Sequence, residues 1–261
     1  MSIDVDYIFP KICGILIETR KLVNIHILIE NFQTVMPARF LYFFCGNLNY
    51  EYYYNFYKNE PFVIIKNLKV DDLNFQEYND LLKSMDFWNK FDYYTHVLTI
   101  NINGCLCENS NYKIEDFLKY DYVGGYTPNK LWWKETQGLH NYSDYQCFNG
   151  GFSFRRIKAI KKVLETFLPL PTQEYNTDLS FKEYTEDLYF VSGLLILNLR
   201  EFDKKYTIGL DNFATNFCTH THFVNKSFCV YKYDNYVDDD KLKKFFNYCP
   251  TFLNFISENI Q

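Results

Sequence analysis

Short apolar runs alternate with segments of helical periodicity through the first hundred residues of this 261-residue chain. The apolar runs cover residues 12–17, 39–45, 61–65 and 96–102, and the helical segments cover residues 22–32, 47–58 and 75–82. Strands that alternate with helices in this way pair in parallel and carry their helices on both faces. The pattern therefore predicts an α/β fold with a mostly parallel central sheet flanked by helices.

The strand ends indicate where a ligand can bind. In sheets of this kind, ligands bind beyond the carboxyl ends of the strands. This rule selects three places, which are residues 18–20, the pair Gly46-Asn47, and residues 101–104. The rule ranks positions in the chain and does not identify a chemistry.

A glycine pair stands in the stretch Gln146-Cys147-Phe148-Asn149-Gly150-Gly151-Phe152-Ser153-Phe154-Arg155-Arg156. Glycine allows a backbone to approach another group where a Cβ atom would block it. A bound ligand and a turn or β-bulge are both adequate reasons for the pair. The two arginines are interpreted as the opening of a helix over residues 157–167.

The second half of the chain has fewer regular patterns. The pattern predicts a strand over residues 121–125 and a polar, aromatic loop over residues 127–146. It also predicts a buried helix in the apolar segment that starts at Glu186. Residues 205–240 predict short strands and loops, and residues 238–260 a closing amphipathic helix. Since neither a repeat nor a linker interrupts the chain, we expect one domain with a first half over residues 10–107 and a second over 108–235.

Composition and charge exclude some classes of protein. A net charge of -5 argues against non-specific binding of nucleic acid, because such binding needs concentrated positive charge. No apolar run approaches the roughly 18 residues of a membrane span, and the first residues lack a signal-peptide pattern. The eight cysteines are scattered, which favours reduced thiols and a cytoplasm-like compartment.

Four motifs in a fixed order carry a family resemblance. They are E-T-R at residues 18–20, Y-D-Y-V-G-G at 120–125, F-N-G-G-F-S-F-R-R at 148–156 and E-D-L-Y-F at 186–190. The order resembles a largely uncharacterised family of GT-A-type glycosyltransferase-like proteins of giant viruses and various microbes, over residues 12–233. The resemblance implies a single GT-A (Rossmann-like) domain, a nucleotide-sugar donor, a hydroxyl acceptor on a glycan or protein, and no nucleic acid or membrane span. A viral origin would imply virion glycans, and a location in the host cytoplasm or the virion.

The resemblance also assigns catalytic roles. Asp187 matches the general base, and Glu186 is expected to orient it or to bind the acceptor. The alternative is that both acids only stabilise the positive end of a helix. Asn149, Gly150 and Gly151 match the segment that lines the donor sugar.

Further positions are expected to contact the donor or the acceptor. The candidate nucleotide-sugar contacts are Glu18, Arg20, Asn101, Asn103 and Arg155. The alternative for Arg20 is an ion pair with Glu18. The alternative for Arg155 is a solvated position at the start of a helix. Trp132 and Trp133, with His140 in the same loop, are the candidate acceptor lid, since aromatic faces suit sugar rings.

The metal motif is the main departure from the family. Related proteins have an aspartate where this chain has Asn103, and hard divalent cations are held mainly by carboxylates. Binding of Mn²⁺ or Mg²⁺ is therefore expected to be weakened. His220 and His222 are further candidate ligands, with two histidines on a polar loop as the alternative.

Two functions follow from the resemblance. The first is an inverting transferase that uses a UDP-linked sugar and tolerates a weak metal site or replaces the metal with Lys134, Arg155, Lys226 or Lys232. The second is a degenerate relative that binds a nucleotide or glycan without transfer. A nucleotide-binding α/β protein unrelated to sugar transfer is the third possibility, which requires the motif matches to be accidental.

Overall fold

The computed structural model describes residues 11–22, 24–127, 145–173, 180–200, 205–232 and 239–258. The strands are β1 (Ile12–Ile17), β2 (Leu41–Cys45), β3 (Val63–Asn67), β4 (His96–Ile100), β5 (Gly104–Leu106), β6 (Tyr122–Tyr126), β7 (Cys147–Arg156), β8 (Cys218–Thr219) and β9 (Cys229–Tyr231). The helices are α1 (Asn24–Val35), α2 (Asn47–Tyr57), α3 (Phe75–Leu82), α4 (Met85–Asn89), α5 (Ile157–Thr166), α6 (Glu186–Arg200), α7 (Asp239–Phe246) and α8 (Pro250–Glu258). Short 3₁₀ turns cover Ile114–Phe117, Phe181–Glu183 and Asn212–Asn216.

A six-stranded sheet in the order β3-β2-β1-β4-β7-β6 forms the centre of the fold. Strands β1 to β4 pair in parallel, β7 is antiparallel to β4, and β6 is antiparallel to β7. Every residue of β1 and β4 is buried, as expected for parallel strands covered on both faces. The predicted α/β fold with a mostly parallel sheet flanked by helices is confirmed.

Two apolar cores lie on the two faces of this sheet. One core contains buried side chains of α1, α2, α7 and α8. The other contains buried side chains of α3, α4, α5 and α6. All eight cysteines are buried free thiols. No helix among the described residues combines the length and apolar character that crossing a bilayer requires.

A small second sheet in the order β5-β9-β8 packs beside α1. Its edge strand β5 is held by Asn31 of α1, whose amide donates to the Leu106 carbonyl at 2.9 Å and accepts from the Leu106 N–H at 2.8 Å. The Asn31 side chain thus satisfies both backbone groups of Leu106, which a buried strand edge would otherwise leave unpaired.

Some predicted boundaries differ from the structure. The fourth strand ends at Ile100, and the Asn103 N–H bonds to the side chain of Asn101 in the turn that follows. The helix predicted over residues 157–167 does begin at Ile157, but the two arginines before it belong to β7 and do not open it. The closing helix predicted over residues 238–260 is two helices. Pro250 begins the second, where its missing N–H costs no helical bond.

Replacing Gly193 with alanine should destabilise the fold. A Cβ atom at Gly193 in α6 would lie 2.4 Å from Cγ1 of Val163 in α5, so the two helices would have to move apart. We expect the free energy of unfolding in urea to fall by about 1–2 kcal/mol, because overpacking outweighs the helix propensity gained. Leu199→Ala, at an exposed position of the same helix, is the matched control and should change stability little. Equal stability of Gly193→Ala and wild type would contradict the close approach.

Candidate active site

A cavity of about 430 Å³ opens at the carboxyl ends of β1 and β4. Its lining comes from residues 17–20 after β1, residues 72–75 with Tyr78 and Asn79 at α3, Asn101 after β4, residues 149–151 of β7, residues 185–187 at the start of α6, and Tyr231 with Lys232 at the end of β9. Two of the three predicted strand-end places therefore meet at one cavity. The third, Gly46-Asn47, is not part of the lining.

The loop after β1 is stabilised by an ion pair. The guanidinium of Arg20 donates to both carboxylate oxygens of Glu18, at 2.9 and 2.8 Å. Glu18 is buried, whereas 59% of the Arg20 side chain is exposed. The amide of Asn49 donates to the carbonyls of residues 18 and 20 and so holds the turn. The structure thus contains the ion pair that was the alternative to a nucleotide contact, and both side chains still line the cavity.

Thr19 connects the same loop to the opposite rim of the cavity. Its hydroxyl donates to the Asp72 carboxylate, and its oxygen accepts from the Leu73 N–H at 3.2 Å. The bond from Thr19 is the main cause that lowers the pKa of Asp72 below its ordinary value. Asp72 therefore remains ionised at the cavity mouth.

A buried ion pair lies beneath the cavity floor. The Arg155 guanidinium donates to both carboxylate oxygens of Glu186, at 2.5 and 2.9 Å, and its Nε donates to Ser153 Oγ at 2.8 Å. Arg155 does not line the cavity and does not start a helix, contrary to both sequence interpretations. Strand alternation puts it on the β7 face that α6 covers, where Glu186 neutralises it.

Aromatic rings enclose the Arg155 guanidinium. The ring centroids of Tyr122, Phe190 and Trp88 lie 5.0, 5.7 and 5.8 Å from it. Burial has the largest single effect on the pKa of Arg155 and lowers it, but the charge and hydrogen bonds of Glu186, together with Tyr122 and Tyr78, outweigh burial, so the pKa lies above its ordinary value. Arg155 and Glu186 therefore form a charged pair, in which Glu186 lines the cavity and Arg155 does not.

The glycine pair forms a β-bulge that faces the cavity. Gly124 pairs with Ser153 and Gly125 with Asn149, so residues 150–152 have no partner on β6. A Cβ atom at Gly150 would lie 2.3 Å from Glu186 Oε1. At Gly151 it would lie 2.2 Å from the Tyr231 ring. The pair is thus a β-bulge, and it also lies at the cavity where a ligand was the other explanation. Glycine is required at both positions because side chains of the protein itself fill the space of a Cβ atom.

Asp187 is the acid that faces the cavity. Its Oδ2 accepts from the Gly150 N–H at 3.0 Å. Its Oδ1 accepts from the Thr185 hydroxyl at 2.6 Å and from the Leu188 N–H at 2.8 Å. The two acids therefore differ in environment, since Glu186 turns inward to Arg155 while Asp187 stays half-buried at the wall. Both also stand in the first turn of α6, where acids are favoured electrostatically.

Two residues with no predicted role fix the start of α6. Asn79 of α3 accepts from the Glu186 N–H at 2.9 Å. The Lys83 side chain is 1% exposed, and its ammonium donates to the carbonyls of Leu170 and Tyr184 at 2.8 and 3.2 Å. Burial lowers the pKa of Lys83. Their backbone partners lie about a hundred residues further along the chain, so no local pattern indicates these contacts.

The residues proposed as metal ligands do not form a ligand set. These residues are Asn103, His220 and His222, and none of them lines the cavity, although Asn101, a candidate nucleotide-sugar contact, does. Asn101 and Asn103 are neutral amides, and hard divalent cations are held mainly by carboxylates. Within the described ranges, no three His, Cys, Asp or Glu side chains are grouped so that they could hold a metal ion. The residues present do not fit Mn²⁺ or Mg²⁺, and the metal prediction stays a prediction.

The two histidines pack against aromatic side chains. The His220 ring stacks on Tyr231 with centroids 5.4 Å apart, and His222 meets Tyr126 edge-on at 6.0 Å. Burial lowers the pKa of His220 to about 4, and the charge of Lys232 adds to this effect. His220 is therefore neutral at physiological pH.

Some predicted residues lie outside the described residues. Trp132, Trp133 and His140 of the candidate acceptor lid belong to this group, as does Lys134. The lid prediction therefore stays a prediction.

The fold is that of an α/β protein with a cavity at the carboxyl edge of its sheet. A family described as "Protein of unknown function (DUF5672)" matches residues 65–233, more than half of the chain, and the chain belongs to that family. The matched range includes the glycine bulge, the acid pair and the end of β9. No curated protein matches the chain.

Among solved structures, the chain is similar to 4-diphosphocytidyl-2C-methyl-D-erythritol synthase from Anaerococcus prevotii. The two sequences are 12% identical, and the TM-score is 0.43. The similarity covers 81% of this chain and 92% of that chain.

Separating the buried ion pair should be more harmful than removing it. Arg155→Met and Glu186→Met should each lower the free energy of unfolding by about 3–5 kcal/mol, because each leaves one buried charge without its partner. The double variant should lose much less than the sum, which urea unfolding of all four proteins would measure. Additive losses would show that the two charges do not interact.

Acid should destabilise the protein partly through His220. Because its folded pKa of about 4 lies below the ordinary 6.5, the unfolded state takes up the proton first as the pH falls. The neutral His220 therefore contributes about 3 kcal/mol to the free energy of unfolding. This contribution is complete above about pH 6.5 and is lost as the pH falls to about 4. Unfolding free energies measured from pH 7.5 to 4 should therefore fall less in His220→Gln than in wild type. Parallel pH curves for the two proteins would contradict this.

Proposed function

We propose that the protein is a GT-A-type glycosyltransferase that moves a sugar from a nucleotide-diphosphate sugar, UDP-linked, to a hydroxyl acceptor. One observation carries the proposal. The Asp187 carboxylate, the backbone of the glycine bulge and the loops after β1 and β4 all face one cavity at the carboxyl edge of the sheet. That edge is where nucleotides bind in sheets of this kind, and the cavity volume is within the range of small-molecule sites.

The arrangement supports binding of the nucleoside at one end of the cavity and of the sugar at the other. At one end, Glu18, Arg20 and Asp72 offer carboxylates and an exposed guanidinium, which suit the hydroxyl and amide groups of a nucleoside. At the other end, Asp187 lies beside the bulge and Tyr231. The donor would extend from the first end to the second, with its sugar next to Asp187.

Asp187 has the environment that a general base needs. Its Oδ2 accepts one hydrogen bond from the described residues, from Gly150, and so retains capacity for an acceptor hydroxyl. In the proposed step, Asp187 takes the hydroxyl proton while the hydroxyl oxygen attacks the anomeric carbon from the face opposite the diphosphate. The bond from that carbon to the diphosphate oxygen breaks, and the nucleoside diphosphate leaves with the electron pair. The configuration of the sugar is inverted.

A second candidate is a protein that binds a nucleotide or glycan without transferring sugar. The hydrogen bonds that Asp187 accepts from Thr185, Leu188 and Gly150 favour it, because they also suit a carboxylate that only fixes the bulge to α6. The two candidates differ in whether loss of the carboxylate affects turnover or only stability.

Asp187→Asn should separate binding from chemistry. We expect release of UDP from UDP-sugars to fall by about 10²- to 10⁴-fold, the usual contribution of a general base, while thermal-shift titration shows retained binding of UDP-sugars. Asp92→Asn is the matched control, since this exposed carboxylate is paired with Lys161 outside the cavity. Assays with a panel of UDP- and GDP-sugars, with and without Mn²⁺, would identify the donor.

The same assays contain the results that would contradict the proposal. Turnover that survives in Asp187→Asn would remove Asp187 as the base. Binding without any turnover in wild type would favour the second candidate. If neither uridine nor guanosine nucleotides bind, the proposed function fails.

A further inference from the structure

The departure of the nucleoside diphosphate in the proposed reaction needs positive charge. The diphosphate gains negative charge as its bond to the sugar breaks, and a bound metal ion or protein cations can stabilise it. The turn after β4, where the family resemblance implies the metal motif, presents the neutral amides of Asn101 and Asn103 instead of carboxylates. The chain therefore needs a cation of its own at this place.

Two of the nearby arginines are already neutralised. Arg20 donates to both oxygens of Glu18, and the buried Arg155 does the same with Glu186. Of the lysines that the sequence offered as substitutes for the metal, Lys226 does not line the cavity. Its backbone carbonyl instead accepts hydrogen bonds from the loop at Ser110.

Lys232 differs from these cations. It lines the cavity, and within the described residues no carboxylate lies within ion-pair distance of its ammonium. The ammonium lies 5.3 Å from the centroid of the Tyr231 ring, a side chain that also lines the cavity. Its charge is therefore available to an anion in the cavity.

The backbone brings Lys232 to the turn after β4. The Lys232 N–H donates to the Asn103 carbonyl at 2.9 Å, and Tyr231 pairs with Gly104 across β9 and β5. Lys232 has a φ of 49°, in the left-handed region that side chains other than glycine seldom adopt. The chain thus bends at Lys232, immediately after Tyr231, and Lys232 lines the same cavity as Asn101.

We propose that Lys232 supplies the positive charge that binds the donor diphosphate and stabilises it as it leaves, at the place where the resemblance implies a divalent cation. This inference rests on the proposed function. It makes the site a metal-independent one, in which the ammonium contacts phosphate oxygens directly. The part of the affinity that comes from the second phosphate then depends on Lys232 and not on Mn²⁺ or Mg²⁺.

The test compares UDP with UMP, and GDP with GMP, in calorimetric titrations of the full chain in EDTA. Wild type should bind the diphosphate more tightly than the monophosphate without metal. Lys232→Met should reduce diphosphate affinity by about 10- to 100-fold, the usual effect of losing a charge-assisted contact, and should change monophosphate affinity less. Lys232→Arg keeps the charge and should retain most of the difference.

Lys226→Met is the matched control. Lys226 also has a positive φ, of 56°, so the same substitution makes a similar demand on the backbone, but outside the cavity. Its nucleotide affinities should equal those of wild type. Circular dichroism and thermal unfolding of each variant establish that it is folded, and Lys232→Gln serves as a second neutral variant if Lys232→Met does not fold.

Three results would overturn the inference. Diphosphate binding that appears only with Mn²⁺ or Mg²⁺ would assign the charge to a metal. Unchanged diphosphate affinity in the folded Lys232→Met and Lys232→Gln variants would exclude the lysine. If wild type binds no nucleotide under any condition, the proposed function fails and the inference fails with it, which distinguishes that case from the first two.

Discussion

The ion pair between Arg155 and Glu186 determines how the second half of the chain is arranged around the site. It joins the end of β7 to the first turn of α6, and the two parallel N–H···O bonds fix the rotation of that turn. Because Asp187 is the next residue, its side chain is directed to the Gly150 N–H and the cavity. Both charges are buried among aromatic rings, so the pair is stable only when both partners are present. One interaction therefore supports the fold and orients the acid on the cavity wall.

Much of the fold could be predicted because periodicity encodes it. The buried strands β1 and β4 are continuous apolar runs, and α1, α2 and α3 show helical spacing, so their existence and order follow from the sequence. The single helix predicted at the end of the chain was wrong for a local reason. Pro250 itself indicates a break between two helices, which the continuous amphipathic spacing conceals. Arg155 was a different kind of error. A basic residue before a helix is typical of a solvated position, and only a carboxylate 31 residues later in the chain reverses that expectation.

Part of the site could also be predicted, because strand ends can be located in the sequence. Motifs near strand ends indicated that the glycine bulge, Asp187 and the loop of Glu18 and Arg20 would meet, and they do. Lys83 could not be assigned, because apart from Asp80 its partners are distant backbone carbonyls, whose positions do not depend on residue identity. Lys232 was one of four candidate cations, and its place on the wall follows from the pairing of β9 with β5, which sequence patterns do not show.

The crowded glycine bulge has a consequence for how the cavity can change. The positions where Cβ atoms would stand at Gly150 and Gly151 are filled by Glu186 and Tyr231, so no side chain can be added to that wall. The wall formed by α3 and the residues before it is different, because Phe75 is exposed and can be exchanged without moving the backbone, whereas the Asn74 side chain caps α3. The cavity thus has one fixed wall, which carries the glycine bulge and Asp187, and one wall at Phe75, whose side chain is free to vary.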